Sequence, residues 1–379
     1  MMIPSVQTGI AHRATNWLNK KYDMELSVAT FRYKFPNSFE LTKVYLPDTH
    51  GDTLVYAGAI EVGFAGFNSI TNTLGSDGAD LKKVRFNWTI YEGDTITEFE
   101  KFIKKFDSGK PSSGKSFGLE ITDISMEDGT FHFEDYNCDS CIRYWFKDLD
   151  FEVSDFDLEG SFFSLDIDRF SGVDKYGIAV KEMEGYYGFL EDKMAMENIH
   201  ILTEDTDLKG DVELVYTNGR KDLGDFINEV TIVADLEEST VSSKDVQIFA
   251  SAFPDFGIFK VEGDVEGKVD DLVSGSLFIE FGEYTQLRGG FEIKNATVPD
   301  SLYLVANKLR LKTHPQDLNH IYKLFTDTVL PEQINPLGSV FLSGDFEGYF
   351  NNFVTNLDLN SEIGSVKINA DFNYPDTNK

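Results

Sequence analysis

The sequence predicts a mainly β chain whose strands carry one apolar and one charged face. Three observations lead there. A short phrase, apolar-x-Gly-Asp-Val/Phe-Glu, recurs at Leu208–Glu213, Val261–Glu266 and Leu342–Glu347, and the last two copies align without a gap over 261–272 and 342–353. Apolar and charged residues alternate with period two over most of the chain after Met24, which sets them on opposite faces of a strand. The phrase repeats a strand-turn unit without repeating any catalytic residue, as expected of a stacked β array that works as a surface or a conduit. The copies are unevenly spaced, so the array is not a strict solenoid. LEGSFF (158–163) is a degenerate echo.

Residues 3–21 read as an amphipathic helix, with Val6, Ile10, Trp17 and Leu18 on one face and Pro4 tolerated in the first turn. Strands follow over 24–35, 38–46, 53–66 and 81–91, divided by Pro36-Asn37 and by a polar turn at 48–52. A helix over 96–106 has Thr95 and Glu98 placed as a capping box, and Phe99, Phe102, Ile103 and Phe106 as its apolar stripe. A polar loop then leads to 117–135, read as a hairpin turning at Asp128-Gly129. Between 142 and 170 the apolar phase changes after Val153, which predicts a bulge or bend. Over 259–270, Phe259, Val261, Val265 and Val269 share one face. Lys260, Glu262, Asp264, Glu266, Lys268 and Asp270 share the other. A last helix covers 314–330, with Leu318, Ile321, Tyr322, Phe325 and Val329 as its stripe, Thr313 and Gln316 as its capping box, and Pro331 as its stop. Three short helices are too few to cover a dozen or more one-sided strands. Either the sheet folds on itself or a ligand shares the covering.

The formal charge is -31 and the pI about 4.4, which excludes phosphate-backbone binding and docking on an anionic membrane face. Alternating acids make a solvated strand face. Cys138 and Cys141 are the two cysteines, too few for a disulfide framework. C-x-x-C is half a zinc site, and no second pair exists. Gly109, Gly114, Lys115 and Ser116 satisfy the phosphate-loop pattern, but the order is helix-loop-strand and Pro111 removes an amide from the cradle. The reading there is a loop without nucleotide. His200 and His320 have no nucleophile nearby in sequence, and no carboxylate pair stands out among so many. The chain therefore reads as non-enzymatic, with no cofactor and no metal.

The opening stretch, from Ile3, Pro4, Val6 and Gln7 through the turn of Asp48, Gly51, Asp52, Thr53 and Leu54, resembles the start of Bacteroidota-type TamB proteins. These are translocation and assembly modules of the AsmA-like superfamily. Residues 263–295 and 337–373 resemble the family's recurring strand units, and Thr285, Leu287, Arg288 and Gly289 match its T-x-L-R-G turn. The resemblance covers most of the chain. It departs at both ends, where an anchor helix and a long C-terminal domain are expected, so the chain reads as an N-terminal periplasmic fragment. The resemblance implies a twisted, U-shaped sheet, the β-taco, with an apolar groove. It implies a Gram-negative periplasmic location, anchorage in the inner membrane through an absent N-terminal helix, phospholipid acyl chains as ligands, and an outer-membrane barrel partner of the TamA type.

The expected organisation is a helix over 1–22, a first β segment over 23–135 and a repeated β-groove segment over 136–379. Phe151, Val153, Phe259, Val261, Val265 and Val269 are the expected groove lining. The competing reading is an extracellular or periplasmic binding module, an adhesin or glycan binder, which would show aromatics in loops and a closed sheet. Phe146, Phe151, Phe156 and Phe163 fall within strands, which favours the groove.

Overall fold

The computed structural model describes residues 4–105, 117–137, 143–160, 162–247, 255–296, 298, 301–326, 328–349 and 351–373. Strands dominate them, so the class read from the sequence is the class observed. The chain divides into two compact units, Met1–Leu190 and Glu191–Lys379. The segment boundaries read at 22 and 135 coincide with the ends of a helix and of a strand.

In the first unit, helix α1 (Pro4–Tyr22) leads into β1 (Thr30–Lys34), β2 (Ser38–Pro47) and β3 (Thr53–Gly63), which pair in order. The short β4 (Gly66–Asn68) and β5 (Thr73–Ser76) follow, then β6 (Ala79–Ile90), helix α2 (Glu98–Lys104) and β7 (Gly118–Asp135). β6 joins β3, and β7 joins β6; β8 (Arg143–Glu159), β9 (Phe162–Asp174) and β10 (Ala179–Phe189) then continue as a meander. Pairing in this unit is antiparallel with one exception. β7 runs parallel to both β6 and β5. A parallel step needs a crossover, and the stretch from 91 to 117, with α2 inside it, supplies one.

The second unit is an antiparallel meander of β11 (Lys193–Leu202), β12 (Asp207–Tyr216), β13 (Val230–Ser242), β14 (Ile258–Lys268), β15 (Asp271–Phe281), β16 (Thr285–Lys294), β17 (Tyr303–Thr313), β18 (Val340–Tyr349), β19 (Asn352–Ser361) and β20 (Gly364–Asn373). Two one-turn helices, α3 (Phe226–Glu229) and α4 (Ser243–Val246), and the longer α5 (Pro315–Thr326) sit in its connections.

Several local expectations change. Asp128-Gly129 does not turn a hairpin. β7 continues through it as one strand, with Asp128 at φ 57°. A left-handed Asp-Gly suits a bulge as well as a turn, and the flanking β6 and β8 pair with both halves of the strand. The cap of α2 lies two residues later than expected: the Thr97 hydroxyl accepts from the Glu100 amide, and the Glu100 carboxylate accepts from the Thr97 amide. The Thr313 hydroxyl does not cap α5, because it is bonded to Thr285; His314 Nδ1 accepts from the Gln316 amide instead. Gly160 of the degenerate echo lies in the turn after β8. On α1, Trp17 is 58% exposed, with its ring edge-on to Tyr22 and under the Lys21 ammonium, so it does not belong to a buried stripe. The side chains of Val6, Ile10 and Phe325, the cysteines Cys138 and Cys141, Phe106, and the loop of Gly109, Pro111, Gly114, Lys115 and Ser116 lie outside the described residues.

Each unit is crossed by a row of mid-strand irregularities. In the first, Lys43, Lys83, Asp128 and Asp148 have φ between 47° and 57°, one to a strand on β2, β6, β7 and β8. Beside that row runs the apolar core: Val44, Ala57, Val84, Met126 and Leu149, with Val28 at its edge. In the second, every pair from β11–β12 to β17–β18 slips register once along its length. The slipping stops at β18, and the β18–β19 and β19–β20 pairs are unbroken. Bulges bend a strand and strengthen its twist, so each row is a crease.

Here the repeated phrase finds its physical meaning. Gly210, Gly263 and Gly344 lie in the creases at φ 142°, 131° and 143°. A Cβ at Gly263 would stand 2.0 Å from the Ser276 carbonyl oxygen, and one at Gly344 1.9 Å from that of Asn356. The following Asp crosses to the neighbouring strand and accepts amide hydrogens there. Asp211 accepts from Asn198 at 2.6 Å, Asp264 from Gly275 at 2.7 Å and Ser276 at 3.1 Å, and Asp345 from Lys308 at 2.8 Å. These amides would otherwise lose their ladder partners at the bulge. Asp150 does the same for Asp128 at 3.0 Å in the first unit, so Asp150-Phe151-Glu152 is a fourth copy that lacks the glycine.

Candidate functional site

The first unit curls along its strands, and α2 reveals it. Fully extended, the 18 residues of β7 would span about 60 Å. Near its end, Phe133 is in register with Trp88, whose ring stacks on Phe99 of α2 at 5.3 Å. Near its start, Leu119 shares a cavity with Phe102 and Ile103 of the same helix. Seven helical residues cover only about 10 Å. Both ends of β7 therefore reach one short helix, and the strand must fold back at its crease. α2 sits across the mouth of the curl, with its apolar stripe turned inward.

Under the helix lies a cavity of about 240 Å³, lined by Leu74, Phe102, Ile103, Phe117, Leu119, Leu158 and Gly160. No side chain there carries a charge, so the space suits hydrocarbon better than water. A wider, open cleft of about 540 Å³ lies elsewhere on this unit. Its wall includes Glu127, Asp128, Asp148, Asp150, Glu152 and Arg169, the last paired with Glu152 at 2.7 Å. The two sites have opposite chemistry.

The expected groove residues are divided between the units. Phe151 is half-buried against the first core, opposite Met126 and Phe170, and Val153 is buried between Ile124 and Ile167. Neither lines the cavity. Phe259, Val261 and Val265 do share one face of β14, with Val261 buried and the other two half-buried, and the charged residues between them are exposed. Val269 lies in the turn beyond β14. An aromatic ladder runs across the end of the second unit, with Phe353 stacked at 5.2 Å on Phe346 and at 5.1 Å on Phe372. The opposite face is not wholly charged, since Phe278 lies there under the Arg288 guanidinium.

Sequence reasoning found the α2 stripe but missed Leu74, Phe117, Leu119 and Leu158, because a curl is not a local property. It also missed the polar pins of α2. The buried Glu98 carboxylate accepts from the Thr49 amide and hydroxyl and from the Lys101 ammonium, which also reaches Asp94. Burial alone would raise the pKa of Glu98. Lys101 and Thr49 outweigh it and hold the carboxyl below its ordinary range. In the D-x-x-G-D-T-L turn, Asp48 Oδ1 accepts the His50 and Asp52 amides, and the Tyr91 hydroxyl donates to both Asp48 and Asp52. Burial, then these two carboxylates, push the Tyr91 pKa upward. In the T-x-L-R-G turn, the Thr285 hydroxyl is buried against Thr313 and Asp317. Asp317 also caps the Tyr284 amide, so α5 is tied to the β15–β16 turn.

His200 Nε2 is 2.8 Å from Asp207 across β11 and β12, and His320 Nε2 is 3.3 Å from the Asp255 carbonyl. No helix among the described residues is long and apolar enough to cross a membrane. No family model, no curated protein and no solved structure matches the chain.

Proposed function

We propose that this chain is a non-enzymatic lipid-handling scaffold of the TamB type, working in the periplasm between inner and outer membranes, where such a scaffold serves lipid transfer and outer-membrane protein assembly. On this reading phospholipid acyl chains are its ligands and an outer-membrane barrel of the TamA type its partner. The observation that carries the reading is the curled first unit, whose apolar face closes on a 240 Å³ hydrocarbon-lined cavity under α2. Each methylene buried there is worth roughly 0.8 kcal/mol, so part of an acyl chain binds measurably.

The test is native mass spectrometry of the purified protein for co-purified phospholipid, followed by photo-crosslinking to a phospholipid probe. Leu119→Glu is expected to abolish crosslinking, and Glu120→Lys, at the next and exposed position of β7, to leave it intact. In the second unit, Val265→Glu against Glu266→Lys gives the matching pair. Equal crosslinking in all four variants would end the lipid reading.

A specific observation favours the second reading, a β-rich binding module. Phe35 is 89% and Ile70 77% exposed in turns of the first unit, with Phe64 and Phe67 exposed nearby. The Phe64 amide donates to the Asn37 carbonyl, which brings the first turn beside the others. If Phe35→Ser and Phe67→Ser together abolish capture of a glycan or protein ligand while no phospholipid co-purifies, this module reading stands.

A further inference from the structure

The turn between β2 and β3 and the first turn of α2 bring together a histidine and two carboxylates. His50 Nδ1 stands 3.7 Å from Glu98 Oε1, and ligand atoms of Asp48, His50 and Glu98 all lie within 4.8 Å of one another. Glu98 is buried, and the His50 ring is fixed from one side by Tyr91, with ring centroids 3.7 Å apart. We propose that Asp48, His50 and Glu98 bind a divalent first-row cation of the zinc class, which joins α2 to the β2–β3 turn.

The hydrogen bonds already made by these carboxylates are compatible with that exchange, because each competing donor has a second acceptor. Lys101 Nζ lies 2.6 Å from Glu98 Oε1 and also 2.6 Å from Asp94 Oδ2, so it keeps Asp94 when a metal takes Glu98. The Tyr91 hydroxyl lies 2.9 Å from Asp48 Oδ2 and 2.8 Å from Asp52 Oδ2, so it keeps Asp52 when a metal takes Asp48. Glu98 Oε2 and Asp48 Oδ1 stay with their backbone donors and orient the two carboxylates, as outer partners orient metal ligands elsewhere. The Thr49 hydroxyl gives its hydrogen to Glu98, so the nearby His50 Nδ1 receives none from it. One imidazole and two carboxylates form an oxygen-rich borderline set, suited to Zn²⁺ with water as fourth ligand. Tetrahedral zinc at ordinary bond lengths holds its ligands about 3.4 Å apart. The site must tighten by up to about 1.4 Å at its widest pair, and His50, half-exposed at the tip of the turn, has room to move.

The experiment is calorimetric titration of Zn²⁺ in the presence of excess Mg²⁺, which occupies unspecific carboxylates on so acidic a chain. Cys138→Ser/Cys141→Ser protein is used so that thiolates cannot bind the zinc. The expected result is one saturable Zn²⁺ per chain and a zinc-dependent rise in Tm. His50→Ala is expected to lower affinity by roughly 100-fold and remove the rise, given that even outer-sphere partners are worth up to that factor. Because His50 is half-exposed, this variant folds. Glu98→Gln tests the buried ligand, with circular dichroism confirming its fold. Absence of saturable Zn²⁺ binding, or binding that His50→Ala leaves unchanged, would overturn the site.

Discussion

The two units share left-handed residues and cross-strand aspartates at their creases but differ in glycine use and in what packs beneath. In the first, the crease is made by non-glycine residues in the left-handed region, Lys43, Lys83, Asp128 and Asp148, and is packed beneath by Val44, Val84, Met126 and Leu149. In the second, glycines occupy the creases of β12, β14 and β18, while left-handed Asn198 and Lys308 occupy those of β11 and β17. Most side chains buried near the row are small or polar, Ala195, Ser239, Ser274, Ala306 and Thr355, with Ile199 and Val261 as larger apolar members. Among the described residues the buried apolar cluster lies under the first row, and in the second unit cross-strand aspartates hold the creases. A bend can thus be held by hydrophobic burial under it or by hydrogen bonds over it. The same Asp-to-amide bond occurs in both units, at Asp150 and at Asp211, Asp264 and Asp345. Glycine appears where the neighbouring backbone leaves no room for a Cβ.

This contrast can be broken at its strongest point first. Gly344→Val is expected to cost more than roughly 4 kcal/mol or to prevent folding of the second unit, since a backbone carbonyl 1.9 Å away cannot yield as a flexible side chain can. Asp128→Gly, at the matching crease of the first unit, is expected to change stability by less than about 1 kcal/mol, because glycine adopts its φ without strain. Urea unfolding of both variants measures the difference. If both lose alike, the two creases are not built differently.

Next in size is the packing under the first crease. Leu149→Ala is expected to cost about 3 kcal/mol, the usual effect of emptying a buried leucine site. Ala306→Gly, at a buried crease position of the second unit, is expected to cost about 1 kcal/mol. Denaturant midpoints decide. An equal loss would mean that the second unit also rests on a continuous core.

Smaller still is the aspartate bond itself. Asp264→Ala removes the acceptor of two amides and is expected to cost about 1–2 kcal/mol; Asp345→Ala removes one and is expected to cost about half as much. Hydrogen exchange at the Gly275, Ser276 and Lys308 amides is expected to quicken in the corresponding variant. Unchanged exchange would show that these amides are protected by something other than the carboxylates.

The smallest effect is one of pH, confined to the first unit. Burial, and then the charge of Arg85, lower the His132 pKa below its ordinary 6.5. The unfolded chain then takes up a proton near pH 6.5 that the folded unit resists. Stability is complete above that value and falls as pH drops from 6.5 toward the folded pKa. His132→Gln is expected to flatten that part of the curve. A slope that survives the substitution would assign it to other groups.

How much of this was legible in the residues differs from element to element. Phe99, Phe102 and Ile103 announced the inward stripe of α2, because helical spacing is local. The phase change after Val153 announced a bend, and Asp148 and Asp155 do lie left-handed in β8. Asp128-Gly129 misled, because the dipeptide suits a hairpin and a bulge equally, and only the length of the strands beside it decides. The cap of α2 was misplaced because Glu98, which fits a capping box in sequence, is drawn instead into a buried network with Thr49 and Lys101.

By itself, the sequence determined the β class, the one-sided strands and the recurrence of Gly-Asp-Val/Phe-Glu, because alternation and glycine placement act within a few residues. Tertiary structure alone decided that the Asp of that phrase serves an amide on another strand and that β7 is one strand with a parallel neighbour. It alone brought Leu74, Leu119 and Leu158 to Phe102, and His50 to Glu98. These contacts join residues on different elements, eleven or more positions apart, through strand pairing and a curl along the strands, and no short window of sequence holds them.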